Sequence, residues 1–187
     1  MQQLPEKNPT IAENIVSAFD VIMGRADMNE RFAFTPAGFW QAAITGWVMG
    51  VVVIVLPSFQ IGLHFMAVTI LTSLISVLLY ALIVWHVLLY SGRSDRFERF
   101  LVPYFWIGNL QVVLFGLILI LGQMISPALA QIVTIPIVVW ILVWLYRTAK
   151  RQIGIGTFGA IAFILGRYAV EAGLGLVAAG GIIQSAG

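Results

Sequence analysis

Cysteine is absent from this chain of 187 residues, and charge is scarce, at 10% of residues. The first absence excludes a disulfide frame, a thiolate metal site and a thiol nucleophile. The second excludes an ordinary soluble surface, since globular chains are about a quarter charged. Histidine occurs only twice, at His64 and His86. On one helix that separation spans about 33 Å, so the two cannot share a metal or haem, and no third histidine exists to pair with either. No serine has a histidine and a carboxylate arranged around it, and no carboxylate pair lies within the apolar stretches. The expectation is a non-enzymatic protein with no cofactor.

What is present is hydrophobicity. Apolar residues make up 60% of the chain, and its mean hydropathy is +0.99. That much apolar surface cannot be hidden in a core of this size, so the excess must face lipid. The net charge of +2 and the pI of about 9.2 point only weakly to acidic partners, and nothing indicates nucleic acid. The first residues, MQQLPEKNPT, lack the basic start and apolar run of a signal peptide, and Glu13 and Asp20 interrupt the segment after them. Entry into the membrane through the first hydrophobic span is therefore expected.

Crossing a hydrocarbon core takes roughly 20 apolar residues of helix. Five stretches qualify, at about 37–57, 63–90, 102–122, 127–147 and 156–182. The fold class is then all-α: a polytopic domain over 37–187 behind a tail over 1–36. Thr35-Pro36 reads as an N-cap and first-turn proline for the first span, and Pro57 as its end. Pro103 and Pro127 suit the first turns of the third and fourth, while Pro136 should kink the fourth.

Lys and Arg fall in the tail (Lys7, Arg25, Arg31), the second connection (Arg93, Arg96, Arg99) and the fourth (Arg147, Lys150, Arg151). The first and third connections and the C-terminal end carry none. With an odd number of spans, this pattern predicts N-terminus in and C-terminus out. It makes the bilayer the first partner, and the bacterial inner (plasma) membrane the expected location. Trp40, Trp85, Tyr90, Tyr104, Trp106, Trp144 and Tyr146 are expected as an aromatic belt at the inner interface.

Within the tail, residues 9–24 carry an amphipathic pattern. Ile11, Ile15, Phe19, Ile22 and Met23 recur at spacings of three and four, with Thr10 and Glu13 as a capping box and Gly24 as a stop. Its polar face is acidic, which argues against recruitment by anionic lipid. Packing beneath the protein's own bundle is the favoured reading, and docking to the membrane or a partner the other.

GIGTFG, residues 154–159, matches the G-x-G-x-x-G dinucleotide pattern by letter. That chemistry needs a preceding strand, and here a membrane helix precedes it. The glycines instead extend a seam of small residues, Gly159, Ala162, Gly166, Ala169, Gly173 and Gly180, down one face of the fifth span. Such seams let membrane helices approach closely, here another helix of this chain or of a second protein.

Arg167 and Glu171 lie four apart in the same span, within about 40° of each other, and beside the seam on this reading. A lone charge at mid-bilayer costs about 2.5–3.5 kcal/mol, so the pair should face protein. It reads first as a structural ion pair, and otherwise as part of a solute path or a subunit contact. Thr69, Thr72, Ser73 and Ser76, with Tyr80, form a hydroxyl stripe on the second span. These are expected to bond across helices or to their own i−4 carbonyls, and in a transporter they would contact cargo. Asn109 and Gln111, two apart, are expected to point to different faces and form no cluster.

A tail followed by five spans, together with RFERFLVPYFWIGNLQ leading into an asparagine-bearing third span, resembles the Yip1-like membrane proteins over residues 37–182. The Asp-Leu-Tyr-Gly-Pro motif of the eukaryotic members is absent, and no site residue carries over. The resemblance implies a non-enzymatic protein acting through partners. The leading functional expectation is an accessory or scaffold protein packing with a partner or with itself. The alternative is a small transporter or channel using Arg167, Glu171 and the hydroxyl stripe.

Overall fold

The computed structural model describes residues 9–58, 63–124 and 126–185. Among these it contains seven α-helices and no strand: α1 (Ile11–Ile22), α2 (Met28–Arg31), α3 (Pro36–Ser58), α4 (Leu63–Tyr90), α5 (Phe97–Met124), α6 (Pro127–Ile153) and α7 (Thr157–Ser185). A short 3-10 turn, Ser94–Arg96, precedes α5. Helices α3 to α7 are each long and apolar enough to cross a membrane, so the chain is a multi-pass membrane protein.

Local chemistry explains the boundaries. Thr35 Oγ1 accepts from the Gly38 N–H at 3.0 Å, capping α3 where Pro36 starts it. The capping box of α1 is formed, with the Glu13 carboxylate 2.6 Å from the Thr10 N–H. Gly24 then takes φ +70°, and the Arg25 N–H closes back on the Asp20 carbonyl at 2.8 Å. That left-handed turn is the glycine-dependent helix stop. Gly154, also at φ 70°, ends α6, so the first half of GIGTFG is a break between two helices and the second half is the first turn of α7.

Three expectations about the helices need correction. α5 begins at Phe97, five residues early, and Pro103 lies inside it rather than in its first turn. Its unmade bond belongs to the carbonyl of Arg99, an exposed residue at the helix end, where solvent or headgroups can serve it. α6 runs to Ile153, carrying its basic residues beyond the apolar stretch. In α1 the buried residues are Asn14, Ser17, Ala18, Val21 and Ile22, while Ile11, Phe19 and Met23 are exposed. Small Ser17 and Ala18 allow α1 to lie against α5, and the Asn14 amide donates to Gln41 Oε1 on α3 at 3.3 Å.

The five long helices close a ring in the order α3, α5, α6, α7, α4, with α4 returning to α3. Single side chains tie the joints. Asn109 Nδ2 donates to the Ala42 carbonyl at 2.9 Å, Trp47 Nε1 to Ser73 Oγ at 3.1 Å, and Tyr80 Oη to the Phe163 carbonyl at 3.0 Å. Each such bond in a membrane contributes about 0.6–2 kcal/mol. The close-packed core sits in the half of the ring nearest the arginine-bearing connections, around Phe39, Tyr80, Val84, Phe100, Trp106 and Ile141. Phe100 meets Tyr104 with tilted rings at 5.1 Å and Phe163 edge-to-face at 5.4 Å, each pair worth about 0.5–1.5 kcal/mol. This corrects the aromatic belt. Trp40, Trp85 and Tyr90 are exposed and Tyr146 is half-buried, but Tyr104, Trp106 and Trp144 are core.

Candidate functional site

Beyond this core, toward the opposite end of the bundle, the ring encloses a cavity of about 800 Å³, bounded chiefly by α3, α4, α5 and α7. All four residues of the hydroxyl stripe, Thr69, Thr72, Ser73 and Ser76, line it, and so do Arg167 and Glu171. The two features that the transporter alternative joins therefore share one chamber.

The pair is formed, with Arg167 Nε 2.6 Å from Glu171 Oε1. The hydroxyls do not bond it. The guanidinium instead lies 5.6 Å from the Tyr80 ring centre and 5.8 Å from that of Phe105. Two rings thus hold Arg167 on the closed side of the cavity, a cation–π arrangement worth about 0.5–1 kcal/mol per ring. Its one hydrogen bond among the described residues is that to Glu171, which leaves most of its five donors unspent.

The stripe divides in two. Thr72 Oγ1 donates to the Val68 carbonyl at 2.7 Å, the local back-bond expected of it. Ser73 donates to the Ile70 carbonyl at 2.8 Å while accepting from Trp47. Ser76 is different: its Oγ is buried and has no hydrogen-bond partner among the described residues. An unpartnered buried hydroxyl costs about 1–3 kcal/mol, a local cost carried inside the α4 wall.

Asn109 and Gln111 both line the cavity but point to different neighbours, Asn109 to α3 and Gln111 to Tyr168 of α7. Asn109 braces α5 against α3 at the point where Gly46 leaves room for its amide. Tyr104, Tyr168 and Trp47 were absent from the sequence-based site and also line the chamber. Their only signal was aromatic rings inside spans, which belts and cores share. Gly50, Gly108 and Gly175 face it too, and a Cβ built at each meets nothing within 4 Å.

No protein-family model, curated protein or solved structure matches this chain. Function therefore rests on the site itself.

The seam does not belong to it. Ala162, Ala169 and Gly173 are exposed, and a Cβ at Gly166 or Gly173 would meet nothing within 4 Å. At Gly159 it would meet only Ile155, its neighbour one turn back, and the surroundings of Gly180 lie outside the described residues. Of the two partners expected for the seam, another helix of this chain is not met at Gly166 or Gly173. Arg167 and Glu171 face inward, away from it. Of the histidines, His86 is exposed, its Nδ1 bonded to the Leu82 carbonyl at 2.8 Å, and the side chain of His64 lies outside the described residues.

Chemically, the chamber is mostly apolar, with polar groups supplied by α4, α5 and α7. Its only charged lining residues among those described, Arg167 and Glu171, cancel. A net-charged guest would lose its hydration without a compensating charge, whereas a net-neutral guest would not. The volume lies within the 300–1,000 Å³ usual for small-molecule sites.

Proposed function

We propose that this protein is a non-enzymatic membrane transporter or channel whose cavity binds a small, net-neutral amphipathic solute. The carrying observation is the coincidence of the unspent Arg167 donors with the hydroxyl-bearing face of α4 in one large, mainly apolar chamber. The polar groups of α4 and α7 would take the head of the solute, and Phe65, Val68, Val112 and Phe115 its apolar body. The distribution of Lys and Arg supports a cytoplasmic N-terminus, an outer C-terminus and residence in a plasma membrane of bacterial inner-membrane type. In that orientation the packed aromatic core closes the cavity on the cytoplasmic side.

The test is uptake into vesicles reconstituted with the full chain. Zwitterionic leucine and a medium-chain alcohol are compared with a medium-chain quaternary ammonium and an alkyl sulfonate. Faster entry of one or both neutral probes, abolished by Gly108→Phe in a folded protein, is expected. Equal rates for neutral and charged probes, or no effect of Gly108→Phe, would refute the reading.

A second reading, an accessory or scaffold protein that associates with itself or another membrane protein, is favoured by the open seam on α7. The Yip1-like layout is compatible with it. Loss of association in Gly166→Leu, with uptake intact, would decide for it.

A further inference from the structure

A second cavity, of about 610 Å³, lies at the basic end of the bundle, between the turn that follows α1 and the last turns of α6. Arg25, Arg147 and Arg151 all line it, with Asp27 as the one carboxylate. None of the three arginines forms an ion pair among the described residues. Asp27 is engaged elsewhere, accepting from the Asn29 N–H and the Asn29 side-chain amide at 2.8 and 2.9 Å. The wall is therefore built for a negative guest.

It is also held in place. The Arg147 guanidinium lies over the Trp144 ring at 4.9 Å, and Trp144 is buried. Arg25 stands in the left-handed turn at Gly24, and buried Met28 fixes that turn against Thr148 and Gln152 of α6. Two elements thus converge their cations from opposite sides.

The depth identifies the source of the anion. At 1.5 Å per residue, roughly 30 Å of helix from Pro127 ends near Arg147, about where a hydrocarbon core gives way to headgroups. Ile135, Val139 and Val143 are exposed and lie at successive four-residue steps that continue into Arg147 and Arg151. One ridge of α6 therefore presents an apolar track ending in two cations.

We infer that this cavity is a specific site for an anionic phospholipid. The guanidinium groups of Arg25, Arg147 and Arg151 would grip the phosphodiester, and an acyl chain would lie along Ile135, Val139 and Val143. Arginine suits the task because its planar fork meets phosphate oxygens in pairs. The site is separate from the central cavity and stands whether or not that cavity carries a solute.

Native mass spectrometry of the full chain, released from detergent doped with one probe at a time, tests this. The probes are phosphatidylglycerol, phosphatidylcholine with the same chains, and inorganic phosphate. One retained phosphatidylglycerol per chain is expected, with phosphatidylcholine at least tenfold weaker. At about fivefold per basic residue, Arg147→Gln/Arg151→Gln should weaken retention roughly 30-fold. Arg25→Gln should weaken it about fivefold. The control pair Arg96→Gln/Arg99→Gln removes the same charge at the same end and should change nothing. Equal losses in both double variants would reduce the site to general surface charge and overturn the inference. So would equal retention of phosphatidylcholine, or displacement of the lipid by an equal concentration of inorganic phosphate, which would mark a phosphate site without a lipid.

Discussion

Removing Arg167 and Glu171, singly and together, separates a structural pair from a working one. The replacements are Arg167→Leu, Glu171→Leu and both. Breaking one side of a fully buried pair costs about 3–5 kcal/mol. Here the side chains keep 21% and 42% exposure, so the lower end applies. Arg167→Leu also forfeits the contacts with Tyr80 and Phe105, and about 3 kcal/mol is expected. Glu171→Leu leaves the guanidinium held by both rings, and about 2 kcal/mol is expected. The double variant loses the rings but strands no charge, again about 2 kcal/mol, which implies a coupling of about 3 kcal/mol. Unfolding by SDS in mixed micelles, followed by tryptophan fluorescence, measures all four corners of the cycle. Penalties that add to within about 0.5 kcal/mol would mean that the two groups do not stabilise each other, and the reasoning would fail. A stable double variant that has lost solute uptake would assign the pair to binding as well.

Glycine positions should sort by what surrounds them. Gly46→Leu, driven against the Asn109 amide, should cost about 1–3 kcal/mol in the same SDS titration, while Gly50→Leu, entering open cavity, should cost much less; equal penalties would contradict the packing described. Asn109→Leu should lose about 1–2 kcal/mol with the bond to Ala42, and no loss would show that α3 and α5 do not depend on it. Gly173→Leu should leave folded yield unchanged, and a drop in monomer stability would return the seam to the bundle interior. Reporter fusions at Arg96 and Lys150 should read cytoplasmic and a fusion at Gly187 external; a cytoplasmic Gly187 would reverse the proposed orientation.

Depth was far more legible in the sequence than direction. α4 occupies 63–90 as expected, because an apolar run bounded by polar residues fixes how far a helix can lie in lipid. The start of α5 was misplaced because Glu98 and Arg99 look like a connection, although a first helical turn at the interface tolerates both. Depth alone also assigned Trp106 and Trp144 to a belt. Aromatic residues at that level divide between lipid and core according to the neighbouring helix they meet, and hydropathy does not record the neighbour.

The inward face of α7 was hidden in the sequence for the same reason. Periodicity gives the angle between two residues on one helix, not which angle faces inward. Tracing the seam through Gly159, Gly166 and Gly173 selected a face by its small residues, as though close approach were the only use of glycine. A competing stripe runs through Ala160, Ile164, Arg167 and Glu171 at spacings of four, three and four. Ala160 and Ile164 are buried, so the stripe that carries the charges is the one turned to the bundle. The cost of a charge in lipid fixes that choice, since Arg167 and Glu171 have to face protein or an enclosed cavity while glycine can face anything. With the ion pair setting the inward direction, the four hydroxyls of α4 share its chamber, as the transporter alternative has them, and the seam falls on the outer surface. Ser76 would still have looked like its neighbours, because an unpartnered hydroxyl differs from a back-bonded one only in three dimensions.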